Sequence, residues 1–131
     1  MNLYTPTEAQ EQTAVFNWAA VMVRRWPELR LLHHIPNGGS RNAREAHNLR
    51  MQGVKAGIPD IFLPVARGGW HGLYIEMKRR KGGRLSDEQA AMLEALREQG
   101  YCAWVCKGAN DAIELITEYL NNDNTTMQGL F

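Results

Sequence analysis

Two strand-like runs, Ile58 to Val65 and Leu73 to Lys78, flank the connector Ala66-Arg67-Gly68-Gly69-Trp70-His71-Gly72. Apolar, β-branched runs joined by a short glycine-rich link read as a hairpin. A lone hairpin is marginal in water, so further strands or helices must cover it. The flanking sequence supplies both. Thr5-Pro6-Thr7-Glu8 predicts a helix start, with Thr5 as N-cap, Pro6 in the first helical position and Glu8 completing a capping box. That helix is expected to reach about Arg25, with Val15, Trp18, Ala19 and Met22 as its buried stripe, and Trp26-Pro27 ends it. Leu29 to Ile35 predicts a strand of uneven pattern, and Pro36-Asn37-Gly38-Gly39 a turn. Ser40 is expected to cap a short helix through about Gln52, with Gly53 at its exit.

Beyond the hairpin, Arg79 to Arg84 reads as a basic loop. Ser86-Asp87-Glu88-Gln89 is a second capping box, opening a helix through Gln99 that Gly100 terminates. Tyr101 to Val105 predicts a strand and Asn110 to Leu120 a last helix, leaving residues 121–131 as a polar, flexible tail. The order α-β-α-β-β-α-β-α predicts an α/β fold with a central mixed sheet flanked by helices.

At 131 residues, 44% hydrophobic and 22% charged, the chain has material for one core, and residues 1–120 read as a single domain. No apolar run approaches the ~20 residues needed to cross a bilayer. The amino terminus has no basic start followed by an apolar stretch, so cytoplasmic residence is expected and no membrane partner. Cys102 and Cys106, on one predicted strand, read as buried free thiols in a reducing compartment. The formal net charge of +1 conceals a division along the chain. Residues 41–84 hold ten Lys or Arg against three acids, while the rest hold five bases against eleven acids. Such asymmetry points to a basic face for a polyanion.

Glu76 and Lys78 stand two apart on a predicted strand, so both side chains leave the same face. Asp60 lies on the preceding strand, within reach of Glu76 across the hairpin. Two carboxylates converging in this way repel unless a cation sits between them, and their hard oxygens suit Mg²⁺. The Met77 backbone carbonyl, between Glu76 and Lys78, offers a further oxygen. Such an ion polarises a phosphoryl oxygen and lowers the pKa of a bound water, as phosphodiester hydrolysis requires. Lys78 beside it is suited to orient that water and stabilise charge growing on the phosphate. Taken singly, Pro-Asp is a common turn pair and Glu-x-Lys on a strand is often a solvent-facing ion pair. Their occurrence on successive strands, followed by a basic loop, is the stronger signal.

Gly57-Ile58-Pro59-Asp60, then Tyr74-Ile75-Glu76-Met77-Lys78, then Leu85-Ser86-Asp87-Glu88-Gln89 resemble the successive motifs of the VRR-NUC family. These are the virus-type replication-repair nucleases, a branch of the PD-(D/E)xK superfamily with a restriction-endonuclease-like core. Thr7 to Gln12 and Ile35 to Gly39 are similar to the small stand-alone members of phages and prophages. The resemblance covers about residues 5 to 106. It implies an αβββαβ core, dependence on Mg²⁺ with Mn²⁺ as a substitute, no organic cofactor, and cleavage of DNA. It further implies a homodimer acting on branched DNA such as four-way junctions, in the cytoplasm of a bacterial host or phage-infected cell. The extra helix between the first strand and Asp60 departs from the plainest family pattern and bears on substrate shape.

The family's first helix contributes a glutamate to the metal site. Glu8 and Glu11, one turn apart, both match, and Glu8 followed by Gln12 is closer to the pattern. Glu8 is also the expected capping partner of Thr5, so two roles compete for one carboxylate. Gln89 is likewise divided between the Ser86 cap and a contact with the site or with DNA. Arg41, Arg79, Arg80 and Lys81 are the remaining candidates for DNA contact. His33 and His34 point to opposite faces and lack further ligands at fixed spacing, which favours packing or DNA contact over metal chemistry. A noncatalytic DNA-binding module on the same fold is the alternative reading, but a platform has no use for convergent acids facing phosphates.

Overall fold

The computed structural model describes residues 4–36 and 42–122. Helix α1 (Glu8–Met22) is capped by Thr7, whose hydroxyl accepts from Gln10 N–H at 3.1 Å while Gln10 Oε1 accepts from Thr7 N–H at 2.8 Å. The sequence offers the capping pattern twice, from Thr5 to Glu8 and from Thr7 to Gln10, and the second one closes. Glu8 is therefore left out of the cap. Pro27–Leu31 forms a 3₁₀ turn where a strand was expected to begin, because proline's fixed φ suits the first position of a helical turn. The first strand shrinks to β1 (His33–His34). The expected turn at Asn37 to Gly39 and cap at Ser40 lie outside the described residues. Among the described residues Asn42 caps α2 (Ala43–Met51), its Oδ1 accepting from Glu45 N–H at 2.8 Å.

Strand β2 (Ile61–Leu63) is shorter than the predicted run because Pro59 and Pro64, which have no N–H to pair, bracket it. Then follow β3 (Leu73–Lys78), α3 (Asp87–Glu98), β4 (Cys102–Lys107) and α4 (Ala109–Leu120), in the predicted element order. Asn121 and Asn122 follow α4; the rest of the expected tail lies outside the described residues. No helix among the described residues is long and apolar enough to cross a membrane.

The four strands form one mixed sheet in the order β1-β2-β3-β4. The first two pairings are antiparallel, and α3 carries the chain across so that β4 runs parallel to β3. One sheet face carries Ile61, Leu63, Leu73, Ile75, Met77, Cys102 and Cys106, which join Val15 and Ala19 of α1 and Ala112, Ile116 and Tyr119 of α4 in the core. Trp18 and Met22, expected in the buried stripe of α1, pack at its margin. Full burial of one such aliphatic side chain contributes about 1.5–3 kcal/mol. A one-residue slip of β3 would exchange Ile75 and Met77 for Glu76 and Lys78, so the core fixes which side chains face outward. The two cysteines are free and buried, and burial pushes both thiols up to about 12, which leaves them inert.

Candidate functional site

Asp60 precedes β2, while Glu76 and Lys78 alternate with the core residues of β3, so all three rise from the face opposite the core. A close approach to α3 puts Asp60 there. Gly57 has φ +86°, and a Cβ at this position would fall 2.8 Å from the Glu88 carbonyl oxygen, so the turn before Asp60 requires glycine. The Asp60 carbonyl accepts from Ile35 N–H at 2.7 Å and from His34 Nδ1–H at 2.7 Å. Pairing between β2 and β3 stops at Ile61 and Ile75, and Asp60 Oδ2 takes over the next inward N–H, that of Met77, at 2.8 Å. Backbone bonds thus hold Asp60 from both sides.

The first turn of α1 brings in Glu8. Oxygens of Glu8, Asp60 and Glu76 lie within 4.8 Å of one another, the first half-buried and the other two buried. Unit charges about 4 Å apart repel by about 4 kcal/mol at an effective dielectric of about 20. Burial and then the charge of Asp60 push Glu76 up to about 8, and Lys78, its Nζ 3.7 Å from Glu76 Oε2, offsets this only in part. Gln89 Nε2 donates to the same Oε2 at 3.2 Å. Glu76 Oε1 is buried and meets no donor among the described residues. A buried oxygen without a donor, on a carboxylate that converges with two others, fits a divalent cation, and the all-oxygen set suits Mg²⁺ or Mn²⁺.

The geometry gives partners to two residues that the sequence left ambiguous. Gln89 does both jobs: its Oε1 accepts from Ser86 N–H at 2.9 Å while its amide nitrogen reaches Glu76. Glu11 does not join the acidic cluster. It is 2% exposed and accepts from Arg80 Nε at 2.7 Å, Arg80 Nη2 at 3.2 Å and Ala109 N–H at 3.1 Å. Burial acts to raise the Glu11 pKa, but Arg80 and the Ala109 N–H together hold it below its ordinary value.

The basic residues divide as well. Arg79 and Lys81 are exposed, with Arg79 Nη2 3.5 Å from the Thr5 carbonyl, whereas Arg80 turns back onto Glu11. Arg41 lies outside the described residues. His33 packs edge-on against Phe62, and the His34 ring is engaged by the Asp60 carbonyl. Sequence reasoning missed the Glu11–Arg80 pair and the His34 bond. The only signal for the pair was the one-turn spacing of Glu8 and Glu11.

A comparison with curated proteins finds no match. The family model of the VRR-NUC domain matches residues 8–110, a span that contains Glu8, Asp60, Glu76, Lys78 and Gln89. A solved structure described as a VRR_NUC domain protein superposes with a TM-score of 0.80 at 35% identity, over 93% of this chain and 94% of that one. On the length of both matches, and with the acidic cluster inside them, the chain belongs to the VRR-NUC family of nuclease-type domains.

Proposed function

We propose that the chain is a Mg²⁺-dependent endodeoxyribonuclease that hydrolyses phosphodiester bonds in branched DNA, such as four-way junctions, as a homodimer. The observation that carries this reading is the convergence of Glu8, Asp60 and Glu76 beside Lys78. These three carboxylates would hold Mg²⁺, or Mn²⁺ in its place, with the Met77 carbonyl as a further oxygen donor. When bound, the ion supplies Lewis-acid polarisation of a phosphoryl oxygen and acidifies a water.

The chain's own groups do the rest. Lys78 Nζ donates to a non-bridging phosphate oxygen and the attacking water, so that charge growing on phosphorus meets a fixed cation. Gln89 holds Glu76 Oε2, while Oε1 has no donor among the described residues. The Met77 N–H and the contacts to the Asp60 backbone keep Asp60 from swinging away. Arg79 and Lys81, with Arg41, take backbone phosphates, which position a duplex without reading its sequence.

Cleavage of labelled linear duplex, flap and four-way junction DNA with Mg²⁺, with Mn²⁺ and with EDTA tests the proposal. Cutting is expected only with metal and fastest on the junction. Asp60→Asn is expected to abolish cutting while DNA affinity survives, since it removes a cation ligand and a charge that repels phosphate. Undiminished cutting in EDTA or by Asp60→Asn overturns the metal mechanism; equal rates on linear duplex remove the preference for branched DNA.

A further inference from the structure

We infer that Glu11, Arg80 and Gly108 form a brace that positions Glu8 against Asp60 and Glu76, so that Arg80 serves the site from behind and not as a phosphate contact. The inference rests on the metal-centre reading above.

Glu11 is nearly inaccessible in a helix whose other buried residues are Val15 and Ala19. An unpaired carboxylate at such a position is strongly destabilising, and one partner removed from a buried pair leaves that charge uncompensated. The pairing joins three segments that are distant in sequence: the first turns of α1, the loop leaving β3 and the start of α4. The brace continues to the catalytic strand, because Gly108 N–H donates to the Lys78 carbonyl at 2.9 Å. Gly108 has φ +91°, and a Cβ there would lie 2.8 Å from Arg80 Cγ and 3.2 Å from Glu11 Oε2. The space beside the brace is therefore filled by the brace itself.

Glu8 sits three residues before Glu11, on the adjoining position of the helix surface. It belongs to the terminal turn, and helix ends fray unless something holds them. The Glu11 brace ties this end of the helix by side-chain hydrogen bonds to the loop after β3 and to the start of α4. Two of the donors of Arg80 point inward, so although its side chain is 52% exposed, its Nε and Nη2 are engaged before DNA arrives. Positioning a carboxylate through its neighbours is a known lever on metal sites, where removal of such support costs about 10–100-fold in affinity.

The test is a double-mutant cycle read by Mn²⁺ titration calorimetry, with urea unfolding in parallel to find conditions where every variant is folded. Glu8→Gln and Arg80→Met are each expected to weaken Mn²⁺ binding about tenfold. The double variant is expected to bind no more weakly than Glu8→Gln alone, because Arg80 acts through Glu8. Arg80→Lys should restore part of the affinity. Losses that multiply in the double variant, or wild-type affinity in Arg80→Met, overturn the inference. If Arg80→Met does not fold, Glu11→Gln replaces it in the same cycle, since the amide oxygen keeps an acceptor for Ala109 N–H while its NH2 takes the place of the oxygen that accepts from Arg80 Nε and so breaks the pair. Asp60→Asn separates the two levels: if it retains full Mn²⁺ affinity, the metal centre itself is overturned and the brace with it, whereas a loss confined to Asp60→Asn and Glu8→Gln overturns the brace alone.

Discussion

Glu76 is 1% exposed, and burial followed by the charge of Asp60 raises it from an ordinary value of 4.5 to about 8. Between those values the folded, metal-free protein keeps a proton that the unfolded chain has released. Stability therefore falls as pH rises through the window and is not recovered above it. A divalent cation takes the proton's place and stabilises the folded state by mass action, more so at the alkaline end. Urea unfolding at about pH 5.5 and about pH 8.5 is expected to show a loss on the order of a few kcal/mol in EDTA, largely cancelled by saturating Mn²⁺. Glu76→Gln should remove the slope. A metal-free stability that stays level or rises across this interval contradicts the assignment. That Asp60, Glu76 and Lys78 share one face was legible in the sequence, because the period of two and the hairpin decide which face each side chain takes. The Glu11–Arg80 pair was not legible, since it joins residues 69 apart and depends on how α1 docks beside β3.

At the scale of elements, boundaries moved where two local signals competed. Thr5 and Thr7 both began capping patterns, and Pro27 turned the head of a predicted strand into a 3₁₀ turn. The start of α3 had no competitor and lies at Ser86 as read from the sequence. That start gives a prediction that separates cap from site. Ser86→Ala should cost about 1 kcal/mol of stability with turnover near wild type. Gln89→Ala should cost a similar amount and also slow turnover, because Glu76 Oε2 loses its donor. Equal turnover in the two variants would show that Gln89 is only a cap. The loop after β3 gives another. Replacing Arg79 and Lys81 with alanine should weaken DNA binding and lower its salt slope by about 1 for each phosphate no longer neutralised. An unchanged slope would make them ordinary solvated surface.

At the scale of the whole molecule, the proposed junction substrate raises the question of how a chain with one site would make two incisions. A 14.9 kDa chain carries one such acidic cluster among its described residues, whereas resolving a four-way junction needs cuts in two strands. A two-fold dimer would place two sites at a fixed separation with the same patch on each copy. Of the surfaces the sequence suggested, Trp70 packs partly buried against the core, which weakens it as an anchor. Helix α2 has no buried residue and leaves Met51 74% exposed. A helix of nine residues is too short to persist in water on its own, so contacts on that face would help to hold it. Light scattering is expected to report about twice the chain mass, and Met51→Glu to shift it toward the monomer. Wild-type protein mixed with excess Glu76→Ala chains should then leave mostly single nicks in a junction, because most active copies are paired with a dead one. A monomeric mass, with paired cuts unaffected by the inactive chain, would sink the dimer and leave the metal-dependent nuclease standing.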